Sequence, residues 1–88
     1  MDIKTFYSPL SIDERDSFAT RCGTSRGHLQ NVMYGQRPCA PELAVAIERE
    51  SFMSVRRWDA RPDDWHLIWP ELIGTDGAPA IKQPAKTV

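Results

Sequence analysis

The sequence predicts an all-α fold: a compact domain of four to five helices over residues 1–73, followed by a short disordered tail, 74–88. Three features carry that prediction. Ser11-Ile12-Asp13-Glu14 is a capping box, in which the serine hydroxyl and the glutamate carboxylate each take a backbone N–H at a helix start. Leu29, Val32 and Met33 fall at i, i+3 and i+4, so a helix puts them on one face. Pro41 precedes Leu43, Ala44 and Ile47, and proline suits the first helical position because its missing N–H would have no partner there.

The remaining elements follow in order. Asp2–Ser8 reads as a first helix with Ile3, Phe6 and Tyr7 on one side. Asp2 complements the helix dipole and Pro9 ends the helix, because the residue before a proline avoids the α region. The capping box opens a second helix that runs to about Cys22. Gly23 and Thr24 make a turn, and Ser25 to about Tyr34 is the third helix, ended by Gly35. Gln36–Ala40 is a loop, and the fourth helix runs from Pro41 to about Glu50 with Leu43, Ala44, Ile47 and Val45 toward the core. Phe52 and Val55 are expected to pack back on that core, with Ser54 capping a short helix to about Ala60. Asp63 and Asp64 are expected to cap a last stretch, Trp65–Trp69, stopped by Pro70. From Gly74 onward the residues are mostly small or polar, a composition that leaves little apolar surface to bury.

The second and third helices carry the spacing of a helix-turn-helix. Ala19 stands four residues before Gly23, Leu29 six after it, and Val32 three later. Two steeply crossing helices approach closely near their turn, which calls for a small side chain such as Ala19. The turn calls for positive φ, which Gly23 adopts without a Cβ clash. Thr24 or Ser25 then caps the next helix. Leu29, Val32 and Met33 face Phe18 and Cys22, which leaves Arg26, Gly27, Gln30, Asn31 and Tyr34 as a polar outward face.

Composition narrows the function classes. Eighty-eight residues with 41% apolar content suffice for one small core. No apolar run approaches the roughly 20 residues of a membrane span, and no signal-peptide core is present, so the expected location is the cytoplasm. Cys22 and Cys39 do not make a disulfide framework; Cys22 belongs to the core face, and Cys39 is expected to be free and partly exposed. Neither cysteine forms zinc-ligand spacing with His28 or His66. No phosphate loop or nucleophile motif is present, which argues against an enzyme and implies no cofactor. Net charge is −1, yet Ser17–Pro41 contains no acid and carries Arg21, Arg26 and Arg37, whereas Glu42–Asp76 holds eight acids against four arginines. One face is thus expected to be basic.

With those residues in place, the chain resembles small Cro-like phage repressors with a lambda-repressor-like helix-turn-helix, most closely the YdaS-like family of antitoxin-type proteins. The residues that carry the resemblance are Leu10–Arg15, Ala19–Leu29, Pro41–Glu48, Arg61-Pro62-Asp63-Asp64-Trp65 and Trp69-Pro70-Glu71-Leu72. It covers residues 2–72. The chain departs from the pattern at 50–55, where relatives often carry a Gly-rich turn and this one has Ser51-Phe52-Met53-Ser54. The resemblance implies a nucleoid-associated transcriptional regulator that binds a double-stranded operator, often as a homodimer.

In that fold the third helix enters the major groove with its N-terminal residues toward the bases. Arg26 would offer a bidentate donor pair to guanine, and Gln30 and Asn31 would pair with adenine edges. Thr24 and Ser25 would take phosphate through hydroxyls and helix N-terminal amides, Gly27 would allow close approach, and Tyr34, Gln36 and Arg37 would touch the flanking backbone. Arg15 and Arg21 would do the same from the second helix. The bland reading makes Arg26, Gln30 and Asn31 a solvated helix face, and His28 a residue flanking the core. A second functional reading is a protein-interaction module, antitoxin-like, whose Trp-rich C-terminal third (Trp58, Trp65, Trp69) binds a toxin or another protein.

Overall fold

The computed structural model describes residues 1–81. They form α1 (Ile3–Tyr7), α2 (Ile12–Arg21), α3 (Arg26–Met33), α4 (Pro41–Glu50), α5 (Arg57–Ala60), α6 (Trp65–Ile68) and a 3-10 turn (Pro70–Leu72), with no strand among the described residues. The class is all-α. The helix count exceeds the expected four to five because α5 and α6, each a single turn, both close their own hydrogen bonds.

Local chemistry accounts for the first four helices. The Asp2 carboxylate accepts the Thr5 N–H at 2.7 Å, and that bond holds its carboxyl below the ordinary carboxylate range. Ser11 and Glu14 form the reciprocal capping box at 3.2 and 2.8 Å, which likewise lowers the Glu14 pKa. Pro41 occupies the first turn of α4 as expected. The main core gathers Tyr7, Phe18, Ala19, Leu29, Ala44, Ile47 and Val55, with Phe6 packed on Phe18 at 5.1 Å between ring centroids. Val45 is exposed and Ala46 is buried in its stead. Val45 lies two positions from both Leu43 and Ile47, which at 100° per residue puts it on the far side of the helix.

After α4 the chain departs from expectation. Phe52 and Met53 both adopt the left-handed region, with φ 53° and 69°. The Met53 N–H reaches the Glu48 carbonyl at 2.9 Å and the Phe52 N–H reaches that of Arg49 at 3.2 Å. These are the two bonds of a Schellman ending, with phenylalanine where glycine is usual. The turn sends Phe52 into solvent, 89% exposed, so only Val55 packs on the core. Ser54 caps nothing in α5. Asp59 accepts the Arg56 N–H at 2.9 Å instead, and Glu48 accepts the Arg57 N–H at 3.3 Å.

The C-terminal third is tied to α4 by charge. Glu48, buried, holds the Arg56 and Arg57 guanidinium groups at 2.8 and 3.1 Å. Arg56 lies over the Trp58 ring at 4.3 Å and Arg57 over Trp69 at 5.3 Å. Trp58 meets Trp65 edge-on and forms a second small cluster with it and Leu72, while Trp69 touches both clusters. α6 ends at Ile68, ahead of Pro70 as expected, and Pro70 then opens the 3-10 turn. Residues 74–81 were expected to begin a disordered tail. Instead they turn at Thr75, whose hydroxyl donates to the Leu72 carbonyl, and lay Ala78 and Ile81 on the tryptophans. The rest of that expected tail, 82–88, lies outside the described residues.

Asp64 does not cap α6 through its side chain. Its carboxylate takes Arg61 bidentately, at 2.9 and 2.7 Å, which holds its carboxyl below the ordinary range. The same guanidinium donates to the carbonyl of Cys39 and so fastens the loop before α4. Cys39 is buried with the main core, not partly exposed. No helix among the described residues is long and apolar enough to cross a membrane.

Candidate nucleic-acid interface

The connection between α2 and α3 is fixed by backbone hydrogen bonds. The Gly23 N–H reaches the Thr20 carbonyl and the Thr24 N–H the Ala19 carbonyl, both at 2.9 Å, with Gly23 at φ 79°. This Schellman closure needs the left-handed region at Gly23, where an L side chain is strained. Ala19 has no exposed surface, and Cys22, Leu29 and Val32 are buried around it with Met33 half-buried. Of the two candidate caps, Ser25 serves: its hydroxyl accepts the His28 N–H at 3.1 Å. At the other end of α3 the Asn31 carbonyl accepts from both Gln36 and Arg37, at 2.8 and 3.2 Å, and Gly35 takes φ 78°.

The side chains singled out in the sequence divide into two groups. Ser25, Gly27, Tyr34, Gln36 and Arg37 are exposed, whereas Thr24, Arg26, Gln30 and Asn31 are half-buried. Arg26, Gln30 and Asn31 are thus less outward than their positions on a helical wheel imply. His28 is exposed and does not flank the core. Within α3, Gly27 and His28 are the exposed positions, Tyr34 just past its end is exposed as well, and a Cβ at Gly27 would meet nothing within 4 Å.

Electrostatics qualify the expected basic face. Arg26 pairs with Asp16 at 3.1 Å, and Arg21 with Glu50 at 3.1 Å. Glu50 also takes Arg49 at 2.8 Å, the main cause of its lowered pKa. Arg15 lies over the Tyr7 ring and donates to the Ser8 carbonyl at 2.6 Å. The acid-free stretch in the sequence is therefore not an acid-free surface. Asp16 stands one residue before that stretch, and α2 brings it across the corner.

One basic residue was missed. Lys4, on α1, stands 5.4 Å from the centre of the Tyr34 ring, and it lines the same groove as Gly35 and Arg37. Asp2 and Asp59 line that groove as well. Thirty positions separate Lys4 from Tyr34 in the sequence, so no local spacing signals the pairing.

The two thiols are unsuited to nucleophilic work. Burial pushes both Cys22 and Cys39 up to about 11, which leaves little thiolate at neutral pH. Among the described residues no group of three or more His, Cys, Asp or Glu side chains gathers closely enough to hold a metal ion. The tryptophans of the interaction-module reading are mainly internal: Trp58 and Trp65 are buried and Trp69 half-buried. Comparison with protein-family models finds no match, and comparison with curated proteins finds none.

Proposed function

We propose that the chain is a sequence-specific double-stranded DNA-binding regulator of the helix-turn-helix type, a Cro-like repressor or antitoxin-type autoregulator, which reads the major groove with α3. One observation carries the reading. The corner at Gly23, closed on a fully buried Ala19 and followed by the Ser25 cap, turns a polar α3 face away from the core. Such a helix, presented N-terminus first, is the usual reader of base edges.

Each residue has a role in this reading. Arg26, which meets Asp16 through Nε, offers its two terminal nitrogens to the O6 and N7 of a guanine. Gln30 and Asn31 pair with adenine, and Gly27 lets the helix backbone come close to the groove. Ser25 and Thr24 bind phosphate at the N-terminal end of α3, and Lys4, Tyr34 and Arg37 bind it at the C-terminal end. With few unpaired cations on this face, each protomer neutralises roughly two to three phosphates, and the logarithm of affinity falls with the logarithm of salt at a slope of about −2 to −3 per protomer.

Selection from a pool of random duplexes tests the reading. Repeated rounds with the intact chain should enrich a short motif containing a guanine and at least one adenine. A pool that remains random after selection would remove the proposal.

A further inference from the structure

We propose that Asp16 is a specificity-determining residue that acts through Arg26: its carboxylate offsets the arginine's attraction for phosphate and leaves the terminal nitrogens for a base edge. The inference rests on the reading of α3 as the base-contacting helix. Arg26 is the first residue of α3, directly after the Ser25 cap, and the N-terminal residues of such a helix come nearest the bases. It is the one arginine or lysine in α3, and α3 itself holds no acid. The carboxylate comes from α2, where the Asp16 Oδ1 stands 3.1 Å from the Arg26 Nε. Among the described residues each is the other's only ion-pair partner.

The place of the pair decides what it does. The Arg26 and Asp16 side chains are 39% and 55% exposed, so a duplex can reach them, and an ion pair so exposed adds little to stability. Its consequence is for binding. A phosphate carries a full negative charge and attracts a guanidinium chiefly by Coulombic force. Asp16 offsets that force, and a phosphate that approaches Arg26 approaches the Asp16 carboxylate as well. The O6 and N7 of guanine are neutral acceptors, recognised by the placement of two donors. Those donors are the terminal nitrogens, whereas Asp16 meets Nε, so Arg26 can hold guanine and Asp16 at once. The pair therefore weakens non-specific binding more than specific binding, and specificity is the difference between the two.

Asp16→Asn provides the test, with affinities for a selected and a scrambled duplex of equal length measured across a range of salt. Without the carboxylate charge, Arg26 is free to neutralise one further phosphate. Affinity for the scrambled duplex should rise, by up to roughly eightfold at an ionic strength of about 0.1 M, and its log–log salt dependence should steepen by about 0.9. Affinity for the selected duplex should rise less, so the preference for it should fall about threefold or more. Asp16→Glu, which keeps the charge, should restore the ratio. With Arg26→Ala in place, Asp16→Asn should no longer change the ratio, since Asp16 acts through Arg26. A loss of affinity for both duplexes alike, together with a lower melting temperature, would assign Asp16 a structural role and overturn the proposal. A ratio unchanged by Asp16→Asn in a folded protein overturns it too. A wild-type chain that prefers no duplex is a different failure: it removes the reading of α3, and this inference with it.

Discussion

Gly23 shows how much one backbone angle decides. At φ 79° it lets two carbonyls near the end of α2 be satisfied and points the chain into α3. A Cβ there would meet no atom within 4 Å, so any penalty for a side chain comes from the backbone and not from a clash. Gly23→Ala should therefore lower stability by about 1–2 kcal/mol in chemical denaturation, and Gly23→Asn by less, because asparagine tolerates the left-handed region. Equal losses for the two would argue against strain as the cause. Asp64 makes a second prediction at this scale. Its folded pKa lies below its ordinary 3.8 because Arg61 donates to the ionised carboxylate. Its stabilising contribution is then complete above 3.8 and disappears as pH falls through the folded value. Asp64→Asn should lower the melting temperature at neutral pH, and the gap between variant and wild type should close in acid. A gap that stays constant down to pH values well below 3.8 would show that the ion pair is not responsible.

Among the elements, those governed by neighbouring residues were legible in the sequence. The Ser11–Glu14 box, the Pro41 start of α4, the glycine ends of α2 and α3 and the Ser25 cap are all chemistry within one or two turns, and each appears in the structure. What the sequence did not reveal depends on which of several available partners a residue takes, some nearby and some far along the chain. Asp64 resembles a helix cap until Arg61 claims both of its oxygens. Cys39 looks exposed in a proline-containing loop until packing carries it into the main core. Phe52 looks like a core residue because it is large and apolar, but the left-handed turn carries it outward. The candidate site divides in the same way. Ser25, Gly27, Tyr34 and Arg37 are exposed where helical spacing puts them, whereas the Asp16 partner of Arg26 and the approach of Lys4 to Tyr34 arise only from packing α1 and α2 around α3.

For the molecule as a whole, Glu48 joins the helical core to the tryptophan-rich third. It is the buried carboxylate between Arg56 and Arg57, and those arginines cover Trp58 and Trp69. Glu48→Gln leaves two cations facing a neutral amide at a site where they are only 23% and 21% exposed. The loss should be about 2–3 kcal/mol, somewhat less than for breaking a fully buried pair, since both arginines keep some contact with water. Tryptophan fluorescence should shift with it as the rings lose their cover. Unchanged stability and emission would mean that packing of the indoles alone holds the C-terminal third in place.

The central claim, that α3 reads DNA, concerns this same folded unit, and it is tested most directly by comparing affinities for a selected duplex and for a scrambled duplex of equal length at fixed salt. Wild-type protein should prefer the selected sequence, and Arg26→Ala combined with Gln30→Ala should remove most of that preference, about 2–6 kcal/mol for two base contacts, while leaving the melting temperature unchanged. A preference that survives both substitutions in a folded protein would contradict the account.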